Sequence, residues 1–253
     1  MRCGAIHRPA PPSVQPLAAR VALDAMAVPP RADWFAKVPA DGDALGNLQA
    51  GNCVEVNDYR VVQIRRANTG KGFWPLTAAM TLSRYTRLTG YDPATGLPDN
   101  GTPTDQDMAD WCRNGIQVNE QDLDVPHWVK VDPGNNDHVS LAIVLAGPVS
   151  VTLNLPLAMQ DPAVWNRPPG NGAGWVPGSW GEHRVPVGAY DGKVKVCRTW
   201  GTDRAIHPEI WSAIVLAVDV TLSREWFDDT GLAPNGLDWD TLTADMATLR
   251  IVV

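Results

Sequence analysis

The sequence predicts an α+β fold, helices first and antiparallel strands after. Three observations predict it. Apolar residues recur at helical spacing between about residues 45 and 120, and strand-like alternation takes over between about 125 and 220. An Asp191-Gly192 pair inside the second span marks a hairpin, which pairs its flanking strands antiparallel. Helices segregated from strands indicate α+β rather than an alternating α/β plan. The 253 residues, 44% hydrophobic, suffice for a core that needs no disulfides.

Residues 1–33 read as a Pro-rich arm preceding a domain over 34–253. Pro9, Pro11, Pro12, Pro16, Pro29 and Pro30 forbid a long helix or central strand, and a short helix fits only between Leu17 and Met26. Such an arm is a strap across its own domain, a docking arm for a neighbour, or a short inhibitory segment. The first helix spans Cys53–Asn68, with Val56, Tyr59 and Val62 on one face and Asn52 as N-cap, its side chain accepting from the first turn. A second helix starts at Pro75, buries Ala78, Ala79, Leu82 and Tyr85, and ends at Gly90. After a loop over 91–103, a third opens at Thr104 in capping-box style, with Asp107 in the Glu position, and stops at Gly115. Met108, Trp111 and Cys112 form its inner face.

Strands follow at Val125–Val131 and Val149–Leu155, with a short helix between them over 137–146. His183 opens another strand, Val194–Arg198 returns, and Ile214–Val220 completes the set. A helical turn falls at His207–Trp211. A last helix, about 238–249, is capped by Asp238 and carries Trp239, Leu242, Met246 and Leu249 on one stripe.

Composition excludes several functions. A net charge of -7 with no basic block beyond Arg65-Arg66 argues against nucleic acid as a partner. No apolar run has membrane-spanning length, and the residues after Met1 lack the apolar stretch of a signal peptide. The four cysteines, Cys3, Cys53, Cys112 and Cys197, are far apart and show no zinc spacing, so free thiols and no metal or other cofactor are expected. The 11 tryptophans would suit a sugar-binding platform, but their scatter assigns them to packing.

The chemistry-bearing residues are Cys53 and His183. A cysteine at a helix start meets unpaired amides and the positive end of the helix dipole, both of which favour a thiolate. Asn47 lies six residues before Cys53, His183 lies 130 after it, and Arg198-Thr199-Trp200-Gly201 closes the hairpin that His183 opens. In this order and spacing the chain resembles the papain-like cysteine peptidases. With Leu45-Gly46-Asn47, Gly51-Asn52-Cys53, Thr89-Gly90-Tyr91-Asp92-Pro93, Pro177-Gly178-Ser179-Trp180-Gly181-Glu182-His183, Val185-Pro186-Val187 and Thr199-Trp200-Gly201, it resembles more closely the papain-fold proteins encoded in tailed bacteriophages and prophages. The resemblance covers about residues 34 to 249.

The resemblance implies a papain-like α+β fold, a Cys-bearing helix packed on a C-terminal antiparallel sheet or half-barrel. It implies Cys53 as nucleophile, His183 as base, the Asn47 amide in an oxyanion hole, and Trp180 and Trp200 as shields against water. The substrate would be a peptide or other amide. The alternative is a catalytically silent structural part of a phage virion, an adaptor, decoration or tail protein, contacting its partners through the arm and the last helix. Either is expected to be made in a bacterial cytoplasm, the second to travel with the particle. Two positions depart from the family: Val54 replaces the aromatic residue that often follows the cysteine, and Arg198 stands where the family has the Asn that orients the histidine. Arginine is a donor only and cannot accept the imidazole N–H. Either another group orients His183, or the site is a bare dyad, or it is silent.

Overall fold

A computed structural model describes residues 1–118 and 123–247. The elements run β1 (Ala5–Ile6), β2 (Arg31–Asp33), α1 (Cys53–Asn68), α2 (Ala78–Thr89), β3 (Thr102–Pro103), α3 (Thr104–Asn114), β4 (Ile116–Gln117) and β5 (Leu123–Asp124). They continue with β6 (His127–Val131), α4 (Asn136–Ala146), β7 (Val149–Leu155), β8 (Gly181–Asp191), β9 (Val194–Thr199), β10 (Thr202–Ile206), α5 (Pro208–Ile214), β11 (Val215–Leu222) and α6 (Trp239–Ala247). The plan is α+β.

The large sheet has the order β10-β9-β8-β7-β11-β6, and every pairing in it is antiparallel. Strand β8 is its spine. Its first seven residues pair with β7, and its last three pair with β2 from the arm. One core lies between this sheet, α4 and the loop tryptophans; a second lies between α1, α3 and Trp128. Trp111, Trp165 and Trp226 are fully buried in these cores, as packing rather than as a sugar platform.

Helix α1 runs between the two cores and is buried along most of its length, polar residues included. Buried polar groups must find partners, and those of α1 find them on other elements. Asn57 Nδ2 donates to Ser150 Oγ on β7 (2.7 Å). Arg60 donates to both carboxylate oxygens of Asp41 and to the Asp43 carbonyl, each at 2.9 Å. Arg65 reaches Ala146 O (3.1 Å) and Thr221 O (2.6 Å). The helix is thereby fastened to the sheet by polar as well as apolar contacts.

Several expectations need correction. Asn52 stands at the α1 N-cap position but does not cap: its Nδ2 donates to Leu45 O (3.0 Å) and to Thr81 Oγ1 (3.2 Å). Helix α2 starts at Ala78 rather than Pro75, since the chain stays extended through Thr77. The α3 capping box does not form, because Asp107 turns to Arg84 Nη2 (2.7 Å). Cys112, by contrast, packs half-buried against the second core with Met108 and Trp111, on the inner face expected of it. Between Leu17 and Met26 there are two single 3₁₀ turns instead of a short helix. Strand β10 is an element the sequence did not announce. At α6, Asp238 Oδ1 accepts from Thr241 N (2.8 Å), which is the expected cap; Leu249 lies outside the described residues.

Residues 1–33 cross the molecule. Leu17 and Leu23 sink into the principal core, Pro16 bridges to Lys130 on β6, and Ala5–Ile6 pairs in parallel with Thr102–Pro103.

Candidate active site

Cys53 opens α1 and is buried, as are Asn47 and His183. The approach to Cys53 is a tight polar loop. Leu45, at φ 49, and Gly46, at φ 88, turn it, and left-handed backbone is costly for a residue such as leucine. The neighbouring Gly51 amide donates to Asp99 Oδ1 (2.7 Å), which also accepts from the Tyr85 hydroxyl (2.8 Å).

His183 comes from the start of β8, beside the first-turn end of α1. Its ring stacks on Trp200, centroids 4.3 Å apart and planes 13° apart, and Trp200 stacks on Trp180 at 5.2 Å. The two tryptophans thus form one column over the imidazole. Trp200 holds this place in a left-handed turn at φ 46, closed by Gly201. A Cβ at Gly201 would lie 2.3 Å from the Gly42 carbonyl carbon, so only glycine lets the loop before Cys53 pack on the histidine hairpin.

Nε2 of His183 is 2.7 Å from Thr199 Oγ1, whereas Nδ1 is buried with no hydrogen-bond partner. Arg198 faces elsewhere: it pairs with Asp203 (2.7 Å) and lies over the Phe35 ring at 4.6 Å. Thr199, which sequence reasoning passed over, is the polar neighbour of the histidine.

The amino-terminal segment lies on the cysteine, a placement that no signal in the sequence gives. Ala5 packs with Cys53 and Val54. The segment is held by Arg2 N donating to Asn47 O (3.0 Å), Thr102 N to Gly4 O (2.8 Å), Arg8 N to Thr104 Oγ1 (3.1 Å) and His7 N to Glu182 Oε2. Gly4 fits so closely that a Cβ on it would lie 1.8 Å from Gly51 O. Beneath it, burial pushes the Cys53 thiol up to about 12; hydrogen bonds from the backbone of Arg184, Gly4 and Ala5 pull it down and the Glu55 charge pushes it up. Burial, and then the nearness of Cys53, push the Cys3 thiol up as well. Burial alone brings His183 down to about 3. The pair is therefore a neutral thiol and a neutral imidazole, and among the described residues no hydrogen bond joins them. The Asn47 Nδ2 donates to Ala50 O (2.9 Å), which leaves its second N–H as the one available to an oxyanion. Among the described residues no cluster of ligands suits a metal ion.

No protein-family model and no curated protein matches the sequence. Solved structures do match. Xylellain, a cysteine protease from Xylella fastidiosa, superposes with a TM-score of 0.67 at 13% identity, over 87% of this chain and 95% of its own. The proCathepsin B S9 from Trypanosoma congolense gives 0.56 at 13% identity, over 88% of this chain and 86% of its own. Digestive procathepsin L 3 of the Tenebrio molitor larval midgut gives 0.54 at 12%, over 84% and 75%. The fold is papain-like.

Proposed function

We propose that this chain is a papain-like cysteine peptidase of bacteriophage origin, acting through Cys53 and His183 and held latent by its own first residues. The carrying observation is the extended segment on Cys53. A peptide backbone lies against the thiol and pairs with Thr102–Pro103, so the face over Cys53 accepts a main chain. In the reaction His183 Nδ1 takes the thiol proton, the sulfur attacks the scissile carbonyl, and the oxyanion forms beside the Cys53 amide and the Asn47 side chain. His183 returns the proton to the leaving amine, and water then hydrolyses the acyl-enzyme. The phage source rests on the sequence resemblance.

Gly4→Val tests this in the full chain, because a side chain there collides with Gly51. Cys53 is expected to react with iodoacetamide several-fold faster in the variant, cleavage of a fluorogenic peptide pool is expected to appear, and a second change, His183→Ala, is expected to abolish both. Unchanged labelling would defeat the latency reading.

A second reading has its own support. The displaced titrations of Cys53 and His183, with no hydrogen bond between them, suit a silent papain-fold component of a virion, made in the bacterial cytoplasm and carried in the particle. Faster labelling in Gly4→Val that ignores His183→Ala would favour it. Absence of the protein from purified particles would remove it.

A further inference from the structure

We infer that the Thr199 hydroxyl is the positioning residue for His183, doing with an O–H what a side-chain amide does elsewhere; this rests on the reading of Cys53 and His183 as a pair. The sheet register places it. Val187 on β8 pairs with Cys197 on β9. Because side chains alternate with a period of two, His183, four residues before Val187, and Thr199, two after Cys197, share that face as diagonal neighbours. Arg198 falls on the opposite face, directly across from Asp203 on β10. An acceptor at position 198 would be turned from the ring, and position 199 is turned toward it.

The ring is fixed in two ways. Trp200 sets its plane through the stack, and Thr199 Oγ1 holds one nitrogen at 2.7 Å. The tautomer follows from what surrounds the other. Nδ1 is buried and unpartnered. A buried N–H without an acceptor is the rarer and costlier state, so the proton belongs on Nε2, donated to Thr199 Oγ1, and Nδ1 carries the lone pair. A free ring lone pair is the form a general base needs. A hydroxyl both accepts and donates, unlike an amide carbonyl, so Thr199 selects this tautomer only together with the empty environment of Nδ1.

The test is ¹⁵N NMR of the imidazoles in the full chain, with His183 assigned by the signals lost in His183→Gln. The parent is expected to show Nε2 protonated and Nδ1 not. In Thr199→Val, which keeps the shape and removes the hydroxyl, the two shifts are expected to move toward each other as both tautomers populate. Thr199→Ser is expected to restore the parental pattern. A parent ring protonated on Nδ1, or a Thr199→Val ring unchanged from the parent, would overturn the inference, and the parent spectrum decides even if the valine variant does not fold. The readout needs no substrate, so a silent Cys53 and a wrongly assigned Thr199 give different results.

Discussion

A histidine brought down to about 3 by burial carries a stability cost on the acid side. Unfolded, His183 protonates near its usual value of about 6.5. Folded, it stays neutral, so the unfolded chain binds the extra proton, and stability is full above pH 6.5 and lost as pH falls toward 3. At pH 5 the loss is about 2 kcal/mol. His183→Gln, which does not titrate, should therefore show a shallower fall in urea midpoint between pH 7 and 5 than the parent; parallel curves would mean that the ring is solvated. At this scale the sequence was half legible. Cys53, Asn47, His183 and Trp200 are readable as types at family spacings. The partner of His183 was hidden because unbroken alternation from the hairpin, with Ala189 opposite Val196, puts Arg198 on the histidine's face, and only a bulge between Val187 and Ala189, which pairs Val187 with Cys197, brings Thr199 there instead.

Among the elements, α1 shows where periodicity stops informing. Its ends at Cys53 and Asn68 are those the sequence predicts, and its apolar face includes Tyr59 and Val62. Burial of its polar face is invisible to a pattern of apolar spacings, because it depends on partners in α2, α3 and the sheet. Glu55 and Asp58 lie with Asp107 of α3 around Arg84 of α2. Asp110 also reaches Arg84 and has Arg87 besides, so the buried carboxyls here outnumber the guanidiniums that pair with them, and one carboxyl is better protonated. Burial, and then the Asp107 charge, push Glu55 up to about 8. Its folded value exceeds the unfolded one of about 4.3, so its contribution is complete below that pH and is lost as pH rises through 8. Glu55→Gln keeps an acceptor for the Thr102 hydroxyl, now at 2.6 Å from Oε1, and removes the titration. Relative to the parent it should be more stable at pH 7 than at pH 4. Urea titrations at the two pH values check this, and an equal difference at both would place the proton on another carboxyl of the cluster.

Across the whole molecule, the arm does two things with different residues. Its middle is structural: Leu17 and Leu23 are each 2% exposed and belong to the principal core. Its beginning covers Cys53 and is held by a few main-chain hydrogen bonds and by the fit of Gly4 to Gly51. Proline content announces an extended segment, but not which of its residues reach the core, since that depends on the gap that β6 and α4 leave. The two roles are separable. Leu23→Ala should cost 2–5 kcal/mol, of the order found for buried leucines, with Cys53 labelling under native conditions staying slow. Gly4→Val should cost less in a urea titration and yet expose Cys53, because the first eight residues can lift while Leu17 and Leu23 stay seated. Such local opening, at a free energy well below global unfolding, is what few apolar contacts allow. If Leu23→Ala accelerates Cys53 labelling as much as Gly4→Val does, the arm releases as one cooperative piece, and the cover on the cysteine and the strap across the core are the same structure.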